Sequence, residues 1–250
     1  MSNSSTSSSS FSIYALNEQS ITVEFGNRMD QQVLRTIKNF EEQIYASPFP
    51  GLVTTVIAYV TLTVHYNVEQ VLNSNMQGQS GFDKVSKYLG SIRVLDGLTE
   101  GIEHELIMVP VCYGSVNGPD LTKLAKDKGI EESLFINLHS AAIYRVYMVG
   151  FVPGFAYLGG MDPLLSAPRK DSPRAKVAAG SVGIAGQQTG IYPMTTPGGW
   201  QLIGRTPLRL FDSSKAQPAL FKAGDLLKFY PISVEEFKSL SNFSDADHHC

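Results

Sequence analysis

The chain has 250 residues, of which 43% are hydrophobic and 17% charged, with a formal net charge of −3. That length can bury a substantial core in one large or two modest domains. The charge leaves no electrostatic footprint for nucleic acid, and no apolar run approaches the roughly 18 residues needed to span a bilayer.

Residues 1–10 are serine-rich, with neither a basic n-region nor an apolar h-region, so a disordered tail is expected rather than a secretory signal. Ser12–Leu16 and Ile21–Phe25 read as two short strands around an Asn17-Glu18-Gln19 turn. Gln31–Tyr45 places Val33, Leu34, Ile37, Phe40 and Ile44 at helical spacing, with Asp30 as the expected N-cap and Pro48 and Pro50 as the stop. Val53–Tyr59 and Thr61–Tyr66 are β-branched runs expected to pair. Val68–Leu72 and Phe82–Leu89 read as helices, the second stopped by Gly90. This order predicts a small α+β domain over residues 11–95.

A second unit, residues 96–241, opens with an apolar strand over Glu105–Cys112. Gly118-Pro119-Asp120 predicts a helix with proline at its first position and Gly129 beyond its end. Glu131–Ser140 reads as a second helix with carboxylates in its first turn. Strands are expected at Ile143–Phe151, Ser181–Ile184, Gly190–Tyr192, Gln201–Ile203, Leu208–Phe211 and Leu226–Tyr230. Ser233 and Glu236 form a capping box for a terminal helix through Leu240, and residues 242–250 read as a second tail. Many short strands with few helices predict a closed or strongly curved barrel with two helices against it. Cys112 and Cys250 are too few for a disulfide framework, so a reducing cytoplasm is the expected compartment.

Residues 149–212 hold 11 of the 22 glycines and 7 of the 13 prolines, yet they read as strands, so their loops are held in defined shapes around something. The same segment carries six Lys/Arg against three Asp, an excess that suits an anionic small molecule or an acidic patch on a partner. Gly180, Gly183 and Gly186 lack the lysine of a phosphate loop, Gly180-Ser181 is not a nucleophile elbow, and the histidines are too scattered for a metal centre. Arg169, Arg174 and Arg205 lie beside or one residue from prolines, and guanidinium forks bind carboxylate or phosphate through paired bonds. The alternative for them is surface solubility. Gln187, Gln188 and Thr189 could orient an amide or carboxylate, or simply bond within a hairpin. Phe155, Tyr157, Tyr192 and Trp200 are candidate pocket walls or core. His139 is a candidate general acid/base or a helix C-terminal cation.

His139, Tyr144-Arg145-Val146-Tyr147 and the run Gly150–Gly159 resemble the KipI/allophanate hydrolase subunit 1 family. Pro168-Arg169, Pro173-Arg174, Ala179–Gly186, Gln188–Pro193, Pro197–Trp200 and Ile203–Pro207 extend the resemblance, as do Tyr113-Gly114 and Gly118–Leu121 upstream. It departs at Ser115, where the family usually has glycine, and at Ala178, where it usually has proline. The resemblance implies an α+β N-terminal domain followed by a cyclophilin-like β-barrel. It further implies the B component of an ATP-dependent 5-oxoprolinase that opens 5-oxoproline to glutamate. The expected partners are a C component, similar to KipA or allophanate hydrolase subunit 2, and an A component. ATP would belong to the complex. Under that reading Arg169, Arg174, Gln188 and Thr189 bind substrate or anion beside Phe155, Tyr157, Tyr192 and Trp200, while His139 and Arg205 are the catalytic candidates and no metal is used. A kinase-inhibiting KipI-type protein and a protein of allophanate or urea carboxylase metabolism are the alternative members.

Overall fold

The computed structural model describes residues 11–28, 30–93 and 106–246, with side chains through residue 241. They fall into two compact units that divide between residues 93 and 106. The expected domain boundary at residue 95 and the tail of residues 1–10 lie outside the described residues.

In the first unit β1 (Ser12–Asn17), β2 (Ser20–Glu24), β3 (Leu52–Ala58) and β4 (Thr61–Tyr66) form an antiparallel sheet in the order β1-β2-β4-β3. Strand period decides its core face: Leu62, Val64 and Tyr66 alternate inward along β4 and meet Ile21 and Val23 of β2. α1 (Gln31–Ala46) lays Leu34, Ile37, Phe40 and Ile44 into that core. Asp30 caps it by accepting from the Val33 amide at 2.8 Å, as the sequence predicts.

Two further helices, α2 (Val68–Leu72) and α3 (Gly81–Ser91), complete the unit, α3 running on through Gly90. A buried ammonium joins them. Lys84 Nζ of α3 donates to the carbonyls of Val71 (3.3 Å), Leu72 (2.9 Å) and Ser74 (2.8 Å) at and just beyond the end of α2. Lys84→Met keeps the stem and deletes the donor, so we expect a loss of about 2 kcal/mol in urea unfolding. An unchanged midpoint would mean that water serves those carbonyls equally well.

The second unit contains β5 (Leu106–Tyr113), α4 (Leu121–Lys128), α5 (Glu132–Ala141), β6 (Ile143–Val149), β7 (Ala156–Gly159) and a 3-10 turn at Pro163–Leu165. It continues with β8 (Arg174–Val177), β9 (Ser181–Ala185), β10 (Gln188–Ile191), β11 (Thr196–Gly198), β12 (Gln201–Arg205), β13 (Leu226–Pro231) and α6 (Val234–Ala246). Seven strands close into a mixed barrel in the order β6-β13-β5-β12-β9-β10-β7, with β7 pairing back to β6. Only β5 and β13 run parallel. Closure leaves no strand edge among the seven. Val109, Val111, Tyr144, Val146, Leu158, Val182, Ile184, Ile203, Leu227 and Phe229 fill the core, joined by Leu121 and Leu124 of α4 and Phe135 of α5. β8 and β11 form a separate two-stranded ribbon.

The structure alters several expected elements. β7, β8 and β11 are strands inside stretches whose glycines and prolines read as loop. Leu208–Phe211 is not a strand; it makes one isolated bridge, Phe211 to Ala219. α4 begins at Leu121 rather than at Pro119, and Asp120 at its N-terminus makes no capping bond from its side chain. The capping box of α6 forms as expected, with the Ser233 amide donating to Glu236 and the Glu236 amide to the Ser233 hydroxyl. α6 nevertheless continues past Leu240 to Ala246, into the segment expected as tail.

Candidate functional site

Four aromatic rings meet where β7, β10 and β12 pass the β8–β11 ribbon. Phe155 is the hub, with ring centroids 4.6 Å from Tyr157, 5.1 Å from Tyr192 and 5.4 Å from Trp200, and Tyr157 lies 5.8 Å from Trp200. Their tilted and edge-on angles suit the ring quadrupoles. Two glycines make the packing possible. A Cβ at Gly190 would lie 2.9 Å from Phe155 Cζ and 3.0 Å from Trp200 Cζ3, and one at Gly198 would lie 2.4 Å from the Tyr192 hydroxyl. Phe151 carries the cluster outward: it is 60% exposed, holds φ at +71°, and sits edge-on to Phe155 at 5.7 Å. A left-handed aromatic residue is a backbone outlier of the kind that gathers at binding sites.

Cations collect beside this cluster, on and before β8. Arg174 donates from Nη2 to Asp120 Oδ1 at 2.7 Å, with Nη1 3.5 Å from the Trp200 carbonyl. Lys170 Nζ stands 3.5 Å from the same Asp120 oxygen. The Lys170 amide donates to Gly199 at 2.8 Å, and Gln201 Nε2 donates to the Pro168 carbonyl at 3.1 Å, which ties this loop to the turn carrying Trp200. Burial pushes the Tyr157 and Tyr192 phenols up; Arg169 opposes this at both, and Arg174 also at Tyr192. Arg169 is exposed and Arg174 half-buried. Arg169 and Arg174 therefore lie within electrostatic reach of Tyr192.

Asp120 organises these cations. Its Oδ2 accepts from the Leu202 amide at 2.6 Å, while its own amide donates to the Leu202 carbonyl at 2.9 Å. Burial pushes its carboxyl up, but the Arg174 hydrogen bond, the Leu202 amide and the charges of Arg174 and Lys170 together hold it below the usual carboxylate range. Sequence reasoning missed Asp120 and Lys170 as site residues. The aspartate sits where an N-cap belongs, and its partners lie 50 and 54 residues away.

The remaining candidates are placed differently. His139 is fully buried, stacked on Phe229 with centroids 4.6 Å apart. Thr189 Oγ1 donates to the Gly183 carbonyl at 3.0 Å, so it must accept from His139 Nε2–H at 3.0 Å, and Nδ1 then accepts from the Tyr113 hydroxyl at 2.8 Å. Burial lowers the imidazole to about 3, so it is neutral at pH 7. The sequence offers His139 as an acid/base and Thr189 as a substrate-orienting group; the structure engages the polar atoms of both within the core. Gln188 is half-buried, and strand alternation puts it on the face of β10 shared by Gly190, toward Phe155 and Trp200. Arg205 is apart from the other two arginines. Its Nε donates to the Ala179 carbonyl at 2.7 Å, and its guanidinium carbon lies 5.7 Å from the Phe237 ring centroid of α6. It braces a turn against a helix.

The model of the carboxyltransferase domain, subdomain C and D, matches residues 11–221. The chain belongs to this family. Over 236 residues it is 39% identical to the B subunit of 5-oxoprolinase from Bacillus subtilis (strain 168), covering 94% of this chain and 98% of that protein. The crystal structure of the conserved uncharacterized protein PH0987 from Pyrococcus horikoshii is 38% identical, with a TM-score of 0.53, over 90% of this chain and 99% of that one. The Kluyveromyces lactis urea carboxylase superposes with a TM-score of 0.74 over 94% of this chain and 23% of that chain, and at 18% identity that likeness shows the fold alone. The family's usual glycine at position 115 has a physical reason here. Ser115 holds φ at +48° directly after Gly114 at +69°, so this turn asks for two left-handed residues and serine carries the second.

Proposed function

We propose that this chain is the B component of a 5-oxoprolinase complex. Near-full-length identity to a protein of that name supports the reading most directly. The cations and aromatic rings around Tyr192 supply a site suited to the substrate's single carboxylate. We read the barrel as cyclophilin-like and the compartment as the cytoplasm; among the described residues no helix is long and apolar enough to cross a membrane.

The reaction opens a lactam. Amide resonance makes its carbonyl a poor electrophile, so transfer of a phosphoryl group from ATP to the carbonyl oxygen converts it into a leaving group. One water then adds to the carbonyl carbon and the C–N bond breaks, giving the free amine and an acyl phosphate; a second water releases inorganic phosphate and leaves the second carboxylate of glutamate. The glycines of β9 do not form a phosphate loop. Gly180, Gly183 and Gly186 lie on or beside β9, whose amides are spent in the sheet, and Gly183 packs on Trp200 and Leu202. We place ATP on the complex, on this chain or on its partner A and C components. This chain holds the substrate's carboxylate on Arg174 and Arg169, with phenol donors from Tyr157 and Tyr192 and with Gln188 beside them. The rings exclude water around it.

The chain mixed with the A and C components, ATP and 5-oxoproline is expected to release glutamate, and omission of any one of them to abolish it. Glutamate formation that persists without this chain would overturn the proposal.

A further inference from the structure

Asp120 forgoes capping α4, although aspartate at that position ordinarily bonds the second or third amide of the helix. Its Oδ2 is instead fixed on the Leu202 amide, and Oδ1 faces two cations. The side chain is more than nine-tenths buried, so its charge is felt at close range through little water. Arg169, Arg174 and Lys170 would present three positive charges to a ligand; with Asp120 among them the four groups sum to two.

Resting on the proposed substrate site, we propose that Asp120 is a specificity-determining residue that sets this site for a singly charged carboxylate and against doubly charged anions. 5-Oxoproline carries one carboxylate and a neutral lactam. The anions released when it is opened at the expense of ATP are a second carboxylate on glutamate and inorganic phosphate, largely dianionic near neutrality. A site with three uncompensated cations would hold phosphate in preference to substrate. With one charge neutralised from behind, the remaining N–H groups of Arg174 still match a carboxylate, and the field rewards a second negative charge less.

Trp200 is the only tryptophan, and its carbonyl lies beside Arg174, so its fluorescence reports anion binding by the full-length chain without turnover. Wild type is titrated with acetate and with inorganic phosphate at pH 8 and constant ionic strength. Asp120→Asn, close to isosteric, is expected to raise the phosphate-to-acetate affinity ratio about tenfold, and Asp120→Glu to keep the wild-type ratio. Lys170→Gln removes charge from the other side and is expected to lower the ratio several-fold, which keeps the test alive if Asp120→Asn does not fold. In the reconstituted complex, Asp120→Asn is expected to strengthen inhibition by phosphate more than inhibition by acetate, an asymmetry that general destabilisation does not produce. Ratios that do not move in either variant, or no fluorescence response to either anion, overturn the inference. Absence of glutamate formation by the wild-type complex would instead overturn the proposed function.

Discussion

The unfolding free energy of this protein is expected to fall by about 2 kcal/mol between pH 7 and pH 5 through one residue, His139. In the unfolded chain its imidazole titrates at about 6.5. In the folded chain burial lowers it to about 3, and both ring nitrogens are already committed to Tyr113 and Thr189. Between those two values the unfolded state takes up a proton that the folded state refuses, so stability rises with pH there. The contribution is complete above the unfolded value and is lost progressively as pH falls toward the folded one. The slope approaches about 1.4 kcal/mol per pH unit. His139→Gln should lose this component while keeping whatever the carboxylates contribute. Urea unfolding of both proteins at pH 5, 6 and 7 measures the difference, and parallel profiles would exclude His139 as its source. The same variant separates the two roles considered for the residue. A general acid/base typically supplies a factor of about 10² to 10⁴, whereas a folded His139→Gln complex is expected to keep kcat at pH 7 within a few-fold.

This histidine also marks the limit of what the sequence discloses. Its place at the end of α5 is local information, and helical spacing supplies it. Its burial is decided by Phe229, Thr189 and Tyr113, which arrive from three strands whose neighbours in space are set by barrel closure. Periodicity finds β4 and β6, because their apolar residues alternate or run on without interruption. It does not find β7: Ala156–Gly159 is a short stretch between Pro153-Gly154 and Gly160, and besides its antiparallel neighbour β6 it pairs with β10, which is remote in the chain. The same distance problem governs the candidate site. Phe155, Tyr157, Tyr192 and Trp200 are legible as candidates because three Gly/Pro-rich stretches carry them, and glycines clear the space at positions 190 and 198. Arg169 and Arg174 were legible by charge and rigid flanks. Asp120 was not, because its sequence context points to a helix cap and its real partners come from β8 and β12.

Arg174→Ala is expected to raise KM for 5-oxoproline by about a hundredfold in the reconstituted complex, the loss of a charge-assisted pair to a carboxylate worth about 3 kcal/mol. It is also expected to cost stability, because it strips Asp120 of its main partner while Lys170 remains at 3.5 Å. Removing one member of a largely buried ion pair costs about 2 kcal/mol or more at pH 7. The pH dependence identifies the cause. In the wild type the Asp120 carboxyl is held low, so its contribution is present above the unfolded value of about 3.9 and disappears as pH falls through the folded one. Without Arg174 the upward push of burial gains, the carboxyl accepts a proton more readily in the folded state, and the penalty shrinks as pH approaches 4. Unfolding measured at pH 7 and near pH 4.5 should therefore show the variant and wild type converging. A penalty of equal size at both values would assign the effect to the packing of the arginine stem against the ribbon. Arg174→Lys then isolates geometry from charge: it is expected to recover most of the stability, because a cation again faces Asp120. KM should stay raised, because an ammonium cannot present the planar fork that binds a carboxylate through two parallel bonds.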